Sequence, residues 1–124
     1  EPNTAFEKYF TGKSYLAKVS DEQVRVSNVT FEPGCRNNWH IHNADKGGGQ
    51  MLIGVAGRGW YQQEGMPPQE ILPGTVIHIP AGVTHWHGAA KDSWFAHLAF
   101  EVAGENTSTQ WLEAVSDEQY DKIR

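Results

Sequence analysis

The chain has 124 residues, with 15 acidic and 10 basic side chains and a formal net charge of -5. An acidic balance without a basic run argues against nucleic-acid binding, and no apolar stretch approaches the roughly 20 residues of a membrane span. The length leaves room for one core, and the single cysteine, Cys35, excludes an intrachain disulfide.

Thirteen glycines and six prolines suit short strands joined by tight turns. In chain order, residues 1–20 read as an N-terminal arm. Its first fifteen residues are irregular and polar, and Phe6, Tyr9, Phe10 and Tyr15 are placed to cover a barrel end or a partner subunit. Residues 24–102 read as the barrel. Val24 to Phe31 is its first strand. His40 and His42 sit on a second, and within the gap Asn43 to Gly49 the run Lys46-Gly47-Gly48-Gly49 is a flexible insertion in a hairpin loop. Gln50 to Val55 is an apolar strand, which Gly57-Arg58-Gly59 turns into Trp60 to Gln63 as a hairpin. Gly65 to Pro68 is a loop. Gln69 to Leu72 and Thr75 to Ile79 are short strands, and Trp94 to Val102 is the longest clear one. Residues 107–124 read as a helical tail: Thr107 to Gln110 has the form of a capping box opening a helix through Val115, and Ser116 to Gln119 opens another. Val-Ser-Asp-Glu-Gln occurs at 19–23 and again at 115–119; the contexts differ and the repeat is read as chance. The expectation is one all-β domain.

Chemistry concentrates in two blocks. The first is Gly34-x5-His40-x-His42-x7-Gln50-x6-Gly57; the second is Gly74-x5-Pro80-x-Gly82-x2-His85. Strand residues two apart share a face, so His40 and His42 point one way and Trp39 and Ile41 the other. His85 and His87 likewise share a face. Two solvent-facing histidines would explain His-x-His alone. Three histidines and an amide on separate short strands ask for a divalent metal, whose commonest protein ligand is neutral imidazole.

Together the blocks resemble the paired motifs of the cupin superfamily, G-x5-H-x-H-x3–4-E-x6-G and G-x5-P-x-G-x2-H-x3-N. The resemblance rests on Gly34, His40, His42, Gln50, Gly57, Gly74, Pro80, Gly82 and His85, and implies a double-stranded β-helix, or jelly roll, with a metal held by His40, His42, Gln50 and His85. The sequence departs from the pattern at three points. Gln50 stands where glutamate is usual, seven residues separate it from His42, and Ala89 replaces the final asparagine. Asp45 lies nearer His42 and is the alternative fourth ligand; Gln50 is favoured because it keeps the family spacing to Gly57. A narrower resemblance runs through Tyr9-Phe10-Thr11-Gly12, Thr30 to Gly34, Gly57 to Gly65, His85 to Ala90, His97-Leu98-Ala99 and Asp117 to Tyr120. These segments are similar to small bacterial cupins that include the cupin part of carboxymuconolactone-decarboxylase fusions and the manganese-dependent hydroxynitrile lyases. That resemblance favours manganese; iron, zinc, nickel and cobalt suit the same donors.

An amide in place of a carboxylate leaves a divalent ion its full formal charge. This strengthens Lewis acidity and disfavours oxidation, so a non-redox acid–base role is expected. Four protein ligands leave an octahedral ion two open positions. The resemblance implies that His97 lines the cavity as a base. Glu101 shares its face, and His87 lies two residues beyond His85; both join it as catalytic candidates. His78 is read as structural. The leading expectation is a lyase- or isomerase-type enzyme acting on a carbonyl, 2-hydroxy or cyanohydrin-like substrate. A metal-dependent dioxygenase and a non-catalytic sugar or small-acid binder are the alternatives. The apolar face formed by Trp94, Ala96, Leu98, Phe100 and Val102 suits a homodimer. Glu1 is not a methionine, which fits a trimmed chain or a secreted protein after signal removal; the location expected is cytoplasmic.

Overall fold

The computed structural model describes residues 1–123. Strands supply almost all the regular structure. In chain order they are β1 (Phe10–Thr11), β2 (Ser14–Ser20), β3 (Val26–Phe31), β4 (Arg36–Asn37), β5 (His40–Asn43), β6 (Lys46–Gly47) and β7 (Gln50–Gly57). There follow β8 (Gly59–Gln63), β9 (Gln69–Ile71), β10 (Val76–Ile79), β11 (His85–Ala89), β12 (Phe95–Glu101), β13 (Gly104–Glu105) and β14 (Ser108–Trp111). A 3-10 turn spans Glu7–Tyr9, and the one α-helix among the described residues, α1, spans Asp117–Asp121.

Two antiparallel sheets face each other. One has the order β10-β7-β12-β3-β2. In the other, β11 carries β8 and then β9 on one side, with β4 and β5 on the other. β4 and β5 are two halves of one strand, interrupted at Asn38 and Trp39: Gly88 pairs with Arg36 and His85 with His40. β1 and β14 cover the outer edges of those halves. This is the all-β jelly roll expected.

Strand alternation sorts the side chains as the sequence requires. Between the sheets lies an apolar cluster that includes Phe31, Leu52, Ile71, Ile77 and Phe95, each 6% exposed or less. The odd partners of the histidines face outward: Trp39 and Trp86 join Trp60, Val115 and Tyr120 in a second cluster beneath the C-terminal tail. The tail is tied down by Arg36, which donates to the Val115 carbonyl at 2.9 Å and lies over the Tyr120 ring. Tyr120 in turn donates to the Ala89 carbonyl at 2.6 Å.

Four expectations need correction. Ser108–Trp111 is strand, although Thr107 and Gln110 have the spacing of a cap. Without it β5 would be an open sheet edge, and its pairing with β5 places Thr109 beside His42 and Trp111 beside His40. Only the second predicted cap forms, with Ser116 and Gln119 bonded reciprocally at the start of α1. Gly57-Arg58-Gly59 is no hairpin turn. β7 pairs with β10 and β12 while β8 pairs with β9 and β11, so the tripeptide carries the chain from one sheet to the other. Gly57 has φ +68°, and a Cβ there would run into the Trp94 carbonyl. The Asn43–Gly49 loop likewise crosses between sheets. It is pinned where Lys46 and Gly47 pair with Glu105 and Gly104. Finally, part of the expected arm is the edge strand β2 on β3; an edge strand with one solvated side carries a weak apolar signal, which is why the sequence pattern hides it.

Candidate metal centre

His40 and His42 leave β5 toward the space between the sheets, and His85 enters it from β11, its direct ladder partner. One nitrogen from each of the three lies within 4.8 Å of the others. Their tautomers follow from their surroundings. His40 Nδ1 is 2.8 Å from the Asn38 carbonyl and His85 Nδ1 is 2.9 Å from the Val83 carbonyl. A carbonyl can only accept, so both Nδ1 atoms carry the proton and both Nε2 atoms keep a lone pair. His85 Nε2 is buried without a hydrogen-bond partner. His42 Nε2 meets Gln50 Oε1 at 3.2 Å, and its Nδ1 lies 3.3 Å from Thr109 Oγ1. Burial pushes His40 well below its usual range, lowers His42 and takes His85 down to about 4. All three are therefore neutral near pH 7, the form a metal binds. His40 and His85 present Nε2 lone pairs beside the neutral His42, a set that fits a divalent ion, and ring N–H groups held by backbone carbonyls are the usual support for such ligands.

For the fourth donor, Gln50 comes from β7 on the opposite sheet and reaches the cluster. Asp45 does not join it: its backbone N–H donates to the Glu105 carbonyl and its Oδ2 accepts from Asn106 Nδ2 at 2.6 Å.

His40, His42 and Gln50 line a cavity of about 360 Å³. His97 forms part of its wall, fully buried, with neither ring nitrogen paired. Its ring stands edge-on to His87 at 4.8 Å between centroids, and Phe31 and Phe95 flank it at 5.5 and 5.4 Å. Burial takes His97 down to about 4. His87 lines the same cavity, is buried and is also held well below its usual range by burial. Glu101 sits on the cavity rim, exposed, 3.7 Å from Arg25. His78 is exposed on β10 and is not among the cavity's lining residues.

Several residues at the site had no signal in the two histidine blocks. Asn37 Oδ1 accepts the His87 backbone N–H at 2.9 Å, which fixes the amide's orientation. Its Nδ2 then donates to the His87 ring, 3.1 Å from Nε2. Trp111 lies 4.7 Å from the His40 ring and stacks on Tyr9 at 4.5 Å. Reading residues 107–115 as helix hid it. Asn37 and Asn38 immediately precede Trp39 and the His-x-His pair, and polar residues packed that close to two ligands were the available clue.

A solved cupin-like protein of Thermotoga maritima superposes with a TM-score of 0.81 at 34% identity, over 94% of this chain and 88% of that one. The chain is a cupin. This cupin is also 46% identical over 97 residues to an (R)-mandelonitrile lyase of Granulicella tundricola, covering 78% of this chain and 71% of that one. A cupin-2 domain protein of Rhodospirillum rubrum shares the fold at 15% identity, with a TM-score of 0.64 over 92% of this cupin and 72% of its own chain. No family model matches the cupin. Among its described residues, no helix is long and apolar enough to cross a membrane.

Proposed function

We propose that this cupin is a metal-dependent lyase-type enzyme that cleaves a small 2-hydroxynitrile or a related 2-hydroxy compound. The observation that carries the reading is His97, a fully buried imidazole with both nitrogens unpaired, on the cavity that His40 and His42 line with His85 clustered beside them. Similarity to a mandelonitrile lyase supports the same class of reaction.

His40, His42 and His85 would hold the ion, with Gln50 as the fourth ligand and manganese favoured. A bound divalent ion supplies Lewis acidity, which lowers the pKa of a substrate hydroxyl. This chain's residues do the rest. His97, neutral at pH 7, takes the hydroxyl proton. As the C–O bond becomes C=O, the C–CN bond breaks and cyanide leaves with the electron pair; His97 returns the proton to it, giving hydrogen cyanide beside the aldehyde and restoring the neutral imidazole. An imidazole pushed down to about 4 is a weak base for an ordinary alcohol. It suits a hydroxyl already made acidic, since proton transfer is efficient when donor and acceptor are matched. His87 and Asn37 shape the wall behind it, and Glu101 holds negative charge at the rim.

Elemental analysis of the purified protein, followed by benzaldehyde release from (R)-mandelonitrile, tests this reading. Wild type is expected to carry near-stoichiometric metal and to turn over. His85→Ala loses the metal, and His97→Ala keeps it but loses turnover. Oxygen uptake without benzaldehyde release would favour a dioxygenase instead.

The quaternary state belongs to the same proposal. The outer face of the five-stranded sheet exposes Trp94, Val55, Val76 and Val102, each between 42% and 52%. The tail covers the other sheet, so this face is where a second copy would pair. Sedimentation showing a clean monomer at micromolar concentration would remove the dimer.

A further inference from the structure

The N-terminal segment is a strap across the open side of the sandwich. At its near end, Asn3 N donates to the Ser14 carbonyl at 3.0 Å and Leu16 N to the Glu1 carbonyl at 2.9 Å, which ties it to β2. At its far end, Asn38 N donates to the Tyr9 carbonyl at 2.7 Å, and Phe10 pairs with Asn37. Between these ties the backbone of Thr4 to Lys8 makes only local hydrogen bonds among the described residues. Such a segment is the part of a fold that opens most easily.

Its inner side is built for contact. Asn3, Phe6 and Phe10 line the same cavity as His40, His42 and His97, together with Leu16, Val29 and Ala99. Phe6 and Phe10 surround Trp111, with centroids 6.5 and 6.4 Å away. Trp111 in turn lies over His40. An aromatic cavity wall thus begins beside a metal-ligand candidate and runs out along the strap. Phe6, at its outer end, is 41% exposed. Asn3 is 5% exposed; one amide atom bonds Ser14 Oγ at 3.1 Å and the other has no partner. A buried amide atom left unpaired needs a partner, and Asn3 lines the cavity from which one can come.

We propose that this strap determines specificity. It recognises the non-reacting substituent of the substrate and selects an aromatic or comparably flat apolar group, held against Phe6 beside Trp111. The inference rests on the reading that a substrate hydroxyl binds at the histidine cluster, and it concerns the part of the substrate that the cluster does not touch.

Mandelate and lactate separate the two ideas. Both offer the same 2-hydroxy acid to the cluster, and they differ only in phenyl against methyl. With Mn(II)-loaded protein in a calorimetric titration, wild type is expected to bind mandelate at least about tenfold more tightly than lactate, within the range a hydrophobic pocket can discriminate. Phe6→Ala brings the ratio close to one while metal content stays near stoichiometric, and Phe6→Tyr, which keeps the flat ring, retains it. Equal affinities in wild type, or a ratio that Phe6→Ala leaves unchanged, overturns the strap's role and leaves the hydroxyl-binding reading standing. Metal-loaded protein that binds neither acid overturns both.

Discussion

β7, β11 and β12 each contribute to both ends of the space between the sheets. Toward one end they place Leu52, Ala89 and Phe95 in the sealed apolar cluster. Toward the other they place Gln50, His85 and His97 on or beside the cavity. The apolar end gains stability from every contact. The histidine end does the opposite: it buries imidazoles whose charged forms are disfavoured, and it leaves nitrogens unpaired. One set of strands thus carries a region optimised for packing and a region held out of its most stable arrangement, and the first supports the second.

Mutations at the two ends should separate accordingly. The largest effect is expected from His97→Ala, which should lower turnover by about 10²- to 10⁴-fold, the range for losing a general base. Metal content should not change; elemental analysis and steady-state rates on one sample would show both. Leu52→Ala, at the apolar end, is expected to destabilise the fold by about 2–5 kcal/mol in urea titration, with metal stoichiometry at 25 °C intact. If Leu52→Ala lost its metal while still folded, the two ends would not be independent.

Acid should strike the histidine end first. His97 falls from an ordinary value of 6.5 in the unfolded chain to about 4 when folded. Between these values the unfolded state binds more protons, so stability falls as pH falls through that window. The contribution is complete above pH 6.5, and His97 alone accounts for on the order of 3 kcal/mol. Urea midpoints of metal-free protein from pH 7 to 4 should show the loss, and His97→Phe should flatten it.

Two smaller changes sharpen the contrast. Gln50→Glu should keep the metal and lower turnover by roughly tenfold, the lower end for a change beside a metal, because the added negative charge weakens Lewis acidity. Unchanged rates would sink that charge argument. Tyr120→Phe leaves the buried Ala89 carbonyl without its donor and should cost about 1 kcal/mol in thermal unfolding, with no effect on turnover.

The fold and the heart of the site were legible because both depend on local rules. Alternation alone put His40 with His42 and His85 with His87, and sent Trp39 and Trp86 to the other face. What stayed hidden depended on partners distant in the chain. Thr107 to Gln110 has a helix cap's spacing, yet β5 needed an edge partner and took it. The two copies of Val-Ser-Asp-Glu-Gln make the same point. At 19–23, Val19 is 58% exposed and Gln23 takes φ 62° in the turn before β3. At 115–119, Val115 is 2% exposed, Arg36 holds its carbonyl, and the next residues open α1. Identical residues take two conformations because only one copy meets a buried guanidinium. Phe6 and Phe10 were legible as cover for a barrel end, but the path of the strap was not, because a segment with little regular structure carries no period to read.

The interruption between β4 and β5 has a consequence for how the chain can change in length. At that break Asn38 uses its carbonyl on His40, its N–H on Tyr9 and its side-chain amide on Leu112, while Trp39 exchanges backbone bonds with Leu112 and Glu113. Strap, tail and metal-ligand candidate are thus referenced to two residues. The glycines at 47–49 make none of these hydrogen bonds, and the ladder with β13 fixes one side of that loop while the register of β7 fixes Gln50 on the other. An inserted residue among the glycines would lengthen a loop. An inserted residue at Asn38 would move a ligand, a wall and the tail together, so this cupin can vary in length at one joint of its barrel and must keep count at another.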